Sequence, residues 1–87
     1  MYIILTYDVE VKRVSKVRKC LKKYLTWTQN SVFEGEITEG KLHKCLSEIE
    51  KMVSKKEDSI YIYKINTPKF IKKEIIGKTK NFDEMFL

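Results

Sequence analysis

The feature that most restricts how this chain can fold is its first eight residues, Met1–Asp8. Tyr2, Ile3, Ile4, Leu5, Thr6 and Tyr7 are β-branched, aromatic or otherwise apolar, with no Gly or Pro among them. Such a run predicts a strand deep in a sheet. Side chains alternate along a strand, so Tyr2, Ile4, Thr6 and Asp8 share one face and Ile3, Leu5 and Tyr7 the other. Both faces are largely apolar and both call for cover. Asp8 ends the run on a carboxylate, at the C-terminal end of the strand. In open sheets covered by helices, ligands gather at such ends, although the rule is best attested for parallel sheets.

Eighty-seven residues make one domain, here placed at 1–78, with 79–87 as a C-terminal tail. A chain of this size buries only a little over ~60% of its unfolded surface, and a second copy would supply the missing burial. The formal charge of +6 points to an anionic partner, nucleic acid or an acidic membrane surface. No apolar run approaches the ~18 residues needed to span a bilayer, and Met1 opens the first strand directly, leaving no room for a signal peptide. A cytoplasmic protein is expected. Cys20 and Cys45 match neither a redox nor a zinc spacing and are expected in the core.

A first helix is predicted from Lys12 to Tyr24. At ~100° per residue, Val14, Val17, Cys20, Leu21, Tyr24 and Leu25 form an apolar arc. Lys12, Lys16, Arg18, Lys19, Lys22 and Lys23 form the opposite one, and with Arg13 they make seven basic residues between positions 12 and 23. Like charges repel along a helix face, and the basic arc holds no acid to relieve them. Phosphates would relieve them, which makes these seven the candidate nucleic-acid-binding residues; a face that is basic for solubility alone is the other reading. Arg13 lies at the edge of the apolar arc, in the first turn after Asp8, within reach of whatever Asp8 holds.

Thr26 to Ile37 predicts two short strands with a turn near Asn30 and Ser31 and a bulge at Gly35. Trp27 reads as the anchor of the short strand, with base stacking as the alternative. Thr38 is placed to cap a second helix, and Glu39 to favour its dipole. Leu42, Cys45, Leu46, Ile49, Met52 and Val53 mark the buried stripe of that helix, and His43 falls on its mixed outer face. After a polar turn at Lys55–Asp58, Ser59–Ile65 predicts a fourth strand that is apolar on both faces. Residues 70–77, past Pro68, suggest a short edge strand.

Strand, helix, strand, strand, helix, strand is the ferredoxin-like α+β arrangement, βαββαβ, with an antiparallel sheet and two helices on one face. It leaves the other face open. Two copies packed through their open faces would cover it, the segment after Pro68 adding to the partner's sheet edge, and would bring two Asp8 carboxylates toward a shared cleft. A hard cation such as Mg²⁺ is commonly held by one or two carboxylates plus substrate phosphates, so Asp8 is a candidate metal ligand; helix cap or loop hydrogen-bonder is the other reading. Serine-type catalysis has no support, because the one histidine, His43, lies away from any nucleophile at a telling spacing.

Tyr7-Asp8 closing an apolar strand, Arg13 opening a basic helix that Leu21 and Tyr24 close, Gln29-Asn30-Ser31-Val32-Phe33-Glu34-Gly35, a Leu-rich helix, Asp58-Ser59-Ile60 leading to Tyr63, and Ile76-Gly77-Lys78 follow one another in this chain. In that order and spacing it resembles the CRISPR-associated protein 2 family over nearly its whole length. The resemblance implies a ferredoxin-like homodimer that works with the CRISPR-associated protein 1 integrase when spacers are acquired in antiviral defence. It also implies a Mg²⁺-dependent endonuclease on single-stranded RNA or double-stranded DNA, with Asp8 as catalytic and metal-binding residue. Tyr7, Ser31 and Phe33 are implied to wall the cleft or dimer, with simple strand packing as the alternative for Phe33. Leu25 departs from the family, many of whose members have Gly after Tyr24, and leaves the end of the first helix open. The alternative function is a non-catalytic scaffold that binds duplex DNA and bridges integrase subunits. Base stacking on Tyr61 and Tyr63 by single-stranded RNA suits the fold but lacks the Gly-Phe pattern of such modules.

Overall fold

The computed structural model describes residues 1–67, 69 and 71–78. Its elements run β1 (Tyr2–Asp8), α1 (Val11–Leu21), β2 (Thr26–Gln29), β3 (Val32–Glu36), α2 (Glu39–Met52) and β4 (Ser59–Ile65). The sheet is antiparallel throughout, in the order β2-β3-β1-β4, which is the ferredoxin-like topology expected from the sequence. β1 is an inner strand, paired with β3 on one side and β4 on the other, as its uninterrupted apolar run requires.

Register sorts the side chains. Leu5 lies between Phe33 and Ile62 on the side that the helices cover, and Ile3, Leu5 and Phe33 there are 0% exposed. α1 turns Val17, Cys20 and Leu21 inward, and α2 turns Leu42, Cys45 and Ile49 inward. Cys20 and Cys45 are free and buried, in the core as expected; burial, with a hydrogen bond to Glu48 in the case of Cys20, pushes their thiols up to about 12 and about 11 respectively. Trp27 stacks on Phe33 at 6.0 Å between ring centroids and does anchor the short strand.

The two helix ends differ in device. Thr38 caps α2, its hydroxyl accepting the Lys41 N–H at 3.2 Å. α1 ends at Leu21, short of Tyr24: the Lys23 and Tyr24 N–H groups bond back to Cys20 and Leu21, three residues away, so the last residues tighten into a 3₁₀-type turn. No non-glycine residue among those described takes a positive φ, so the backbone at Leu25 needs none of the freedom of a glycine. The expected bulge lies between Trp27 and Gln29; Gly35 keeps regular register with Ile3, at a φ of +155°.

The expected C-terminal strand does not form within the single chain, since residues 71–78 carry no regular element. A strand needs an edge to pair with, and this segment lies beside the open face instead, where Lys73 meets Glu34 and residues 73–76 and 78 line a cleft of about 730 Å³ with β2 and β3. Pro68, Phe70 and the tail at 79–87 lie outside the described residues. Among the described residues, no helix is long and apolar enough to cross a membrane.

Candidate functional site

Asp8 belongs to the even-numbered, open face of β1, where Tyr2, Ile4 and Thr6 are half-buried and Asp8 itself is exposed. Neighbouring rows on that face are Glu34–Ile4–Tyr63 and Val32–Thr6–Tyr61, and Asp8 sits opposite Ser59. Tyr61 and Tyr63 are 59% and 54% exposed. Among the described residues, no hydrogen bond or ion pair reaches the Asp8 carboxylate. It is therefore neither a helix cap nor a loop tie, and its oxygens face solvent. No cluster of three or more His, Cys, Asp or Glu side chains able to hold a metal occurs among the described residues.

The backbone that carries Asp8 is tied on both sides. Toward β3, the Tyr7 N–H donates to the Ser31 carbonyl at 3.1 Å. The Tyr7 hydroxyl donates to the Asn30 carbonyl at 2.9 Å and accepts from Arg18 Nε at 2.8 Å. Arg18 also donates to the Asn30 carbonyl at 3.3 Å, and its guanidinium lies 4.6 Å from the centre of the Trp27 ring. Toward β4, Arg13 Nε and its terminal nitrogen donate to the two oxygens of Asp58 at 2.6 and 3.0 Å. The Glu10 and Ser54 N–H groups donate to the same carboxylate at 2.9 and 2.8 Å. Arg13, with those two N–H groups, holds the Asp58 carboxyl well below the usual carboxylate range.

These contacts sort the seven basic residues expected to bind nucleic acid. Arg13 reaches for Asp58 and Glu57, so it is not aimed at what Asp8 holds, and Arg18 is committed to Tyr7 and Asn30. Planar guanidinium forks suit such fixed sites better than lysine does. Lys22 lies over Trp27, 5.0 Å from its ring centre, and Lys23 pairs with Glu48 at 3.0 Å. Lys12, Lys16 and Lys19 are exposed and bear no ion pair among the described residues. They fall within ~60° of one another and span about 10 Å of helix, a stripe of cations along the outside of α1.

Two of the residues implied as cleft or dimer wall lie elsewhere. Tyr7 and Phe33 are 5% and 0% exposed, on the helix-facing side, because odd positions of β1 and Phe33, opposite Leu5, point into the core. Ser31 is half-buried at the turn beside the end of β1, where its carbonyl accepts the Tyr7 N–H. Asp58 was missed as a site residue. The signal was available in the topology: β4 antiparallel to β1 puts the residue before Ser59 beside the residues after Asp8.

A protein-family model described as "CRISPR associated protein Cas2" matches residues 1–73. A protein of Thermodesulfovibrio yellowstonii named "CRISPR-associated endoribonuclease Cas2 3" is 54% identical over 79 residues, covering 91% of this chain and 90% of that one. A Dictyoglomus turgidum protein named "CRISPR-associated endoribonuclease Cas2" is 45% identical over 87 residues, the full length of both. Among solved structures, one described as "Crystal structure of cas2" is similar with a TM-score of 0.80 at 42% identity, covering 92% of this chain and 90% of that one. Streptococcus pyogenes Cas2 at pH 6.5 is similar with a TM-score of 0.73 at 29% identity, covering 88% and 100%.

Proposed function

The chain belongs to the CRISPR-associated protein Cas2 family, and from that premise we propose that it is a metal-dependent endonuclease of spacer acquisition that acts as a homodimer with Asp8 at its reaction centre. The observation that carries this reading is Asp8 itself: an exposed carboxylate on the open sheet face, free of partners among the described residues, on a backbone tied at both flanks. Left in water with both oxygens available, it is a ligand in waiting. Relatives named endoribonucleases give the class of reaction, phosphodiester hydrolysis in nucleic acid.

One carboxylate fits a hydrated divalent cation such as Mg²⁺ and does not fit a cage-bound ion, since Mg²⁺ keeps several waters and takes further ligands from substrate phosphate. Asp8 would hold the ion, and a second copy packed through the open face would contribute its own Asp8. When bound, such an ion supplies Lewis acidity and lowers the pKa of water. The chain's own part is to present the Asp8 charge in fixed geometry and to hold the polymer: Lys12, Lys16 and Lys19 contact phosphates as point charges, which give affinity and register without reading bases. Packing Tyr61 and Tyr63 against a partner would also exclude water from the cleft.

The exposed lysine stripe favours a second reading, a scaffold that tracks a duplex backbone and bridges subunits of the CRISPR-associated protein 1 integrase. Asp8→Asn separates the two, because asparagine keeps the shape and removes the charge. The enzyme reading expects Mg²⁺-dependent cleavage of single-stranded RNA or duplex DNA that EDTA abolishes. In Asp8→Asn it should fall at least ~100-fold, about 2.7 kcal/mol of transition-state stabilisation, with dimerisation and duplex affinity unchanged. Duplex binding by both proteins with no cleavage by either leaves the scaffold.

A further inference from the structure

α1 begins without a cap of its own. Glu10 occupies the N-cap position, its side chain makes no capping bond, and the first turn holds no acid. In a capping box the residue three positions on is Glu or Gln, whose side chain reaches back to the N-cap N–H. Here that position is Arg13, a cation at the helix end that favours anions. The carboxylate that takes the Glu10 N–H comes instead from Asp58, 48 residues away, and Arg13 grips the same group.

Each Asp58 oxygen accepts two bonds: Oδ1 from the Glu10 N–H and Arg13, Oδ2 from Arg13 Nε and the Ser54 N–H. Two carboxylate oxygens offer about four acceptor sites, so this one is saturated. Its side chain has no exposed surface, and that of Arg13 is 16% exposed. A local cap would have held the helix end equally well. The long-range version adds a tie between the residues after Asp8 and the start of β4, where Ser59 sits opposite Asp8.

We propose that the Arg13–Asp58 pair is the positioning element for Asp8: by holding the Glu10 N–H against the start of β4, it fixes the passage Asp8–Val9–Glu10 and with it the direction of the Asp8 carboxylate. The inference rests on the reading of Asp8 as the reacting centre and adds two residues that act through it. Neither touches substrate. Groups that orient a metal-binding side chain from behind typically matter 10–100-fold.

The test compares the full chain with Asp58→Asn, Arg13→Lys and Asp8→Asn, each assayed at least 15 °C below its own melting temperature. Asp58→Asn and Arg13→Lys should lower kcat 10–100-fold and raise the Mg²⁺ concentration for half-maximal rate. KM for the nucleic acid should stay within about twofold, because the lysine stripe is untouched. The Glu10 amide should exchange with solvent at least tenfold faster, a readout independent of turnover. Lysine keeps the charge of Arg13 but not its fork, so it should not rescue; should Asp58→Asn fail to fold, Arg13→Lys carries the test. Folded variants with the wild-type kcat and Mg²⁺ requirement overturn the positioning role even where Asp8→Asn is inactive. Cleavage by Asp8→Asn at the wild-type rate overturns the reading of Asp8 instead, and the positioning role with it.

Discussion

On the helix-facing side of the sheet, Leu5 sits between Phe33 and Ile62, with Leu5 and Phe33 fully buried. One residue earlier on the same strand, Ile4 sits between Glu34 and Tyr63, and Tyr63 is more than half exposed. The strands are shared and only parity differs, since successive side chains point to opposite faces. One face is finished by this chain's own helices. The other mixes apolar side chains with Glu34, is left without helices and ends in a bare carboxylate, so the fold is secured on the first face and the function we propose is built on the second.

If the faces divide the work in this way, damage to each should read out differently. Phe33→Ala strikes the closed face, removing a fully buried ring that packs against Tyr7 and Trp27. It should cost ~3–5 kcal/mol, seen as a lower denaturant midpoint, and for a domain of this size that is enough to leave much of the protein unfolded. Replacing both Tyr61 and Tyr63 by serine strikes the open face. Monomer stability should change little, because both rings are exposed, while the dimer dissociation constant read by analytical ultracentrifugation should rise at least ~100-fold, as expected for aromatic anchors at the centre of an interface. An unaltered dimer would remove the open face as the subunit contact.

The smallest effect lies outside both faces. Lys16→Ala with Lys19→Ala should leave stability and dimerisation alone and weaken duplex binding modestly. The slope of log K against log salt should become shallower by about 0.9 for each phosphate that is no longer neutralised. The same change in Arg18 would mix a binding effect with removal of its hydrogen bonds to Tyr7 and Asn30, which is why the lysines, rather than the arginines, make the cleaner test.

The order and type of the elements were legible because each carries its own signal: an unbroken run of β-branched and aromatic residues for β1 and β4, a period of about 3.6 for α1 and α2. So were the Thr38 cap and the exposure of Asp8 away from the helices, which follow from local chemistry and strand parity. Helix periodicity placed Arg13 at the edge of the apolar arc and Arg18 in the basic arc yet could not show what either would grip, because commitment to Asp58, Tyr7 and Asn30 depends on residues 11 to 45 positions away. Tyr7 and Phe33 were drawn to the cleft by the family resemblance, whereas their place in the core follows from the register Leu5↔Phe33.

What the sequence by itself determined is therefore what depends on near neighbours: which segments become helix or strand, which stripe of each is apolar, and that the chain carries excess positive charge with a carboxylate at the end of its first strand. What only the tertiary structure decided is which charges are spent inside the molecule and which remain outside. Ion pairing and burial are set by distances between segments remote in sequence, and of a guanidinium and an ammonium three residues apart on one helix, Arg13 is taken up by Asp58 while Lys16 stays exposed once the sheet has brought β4 beside β1.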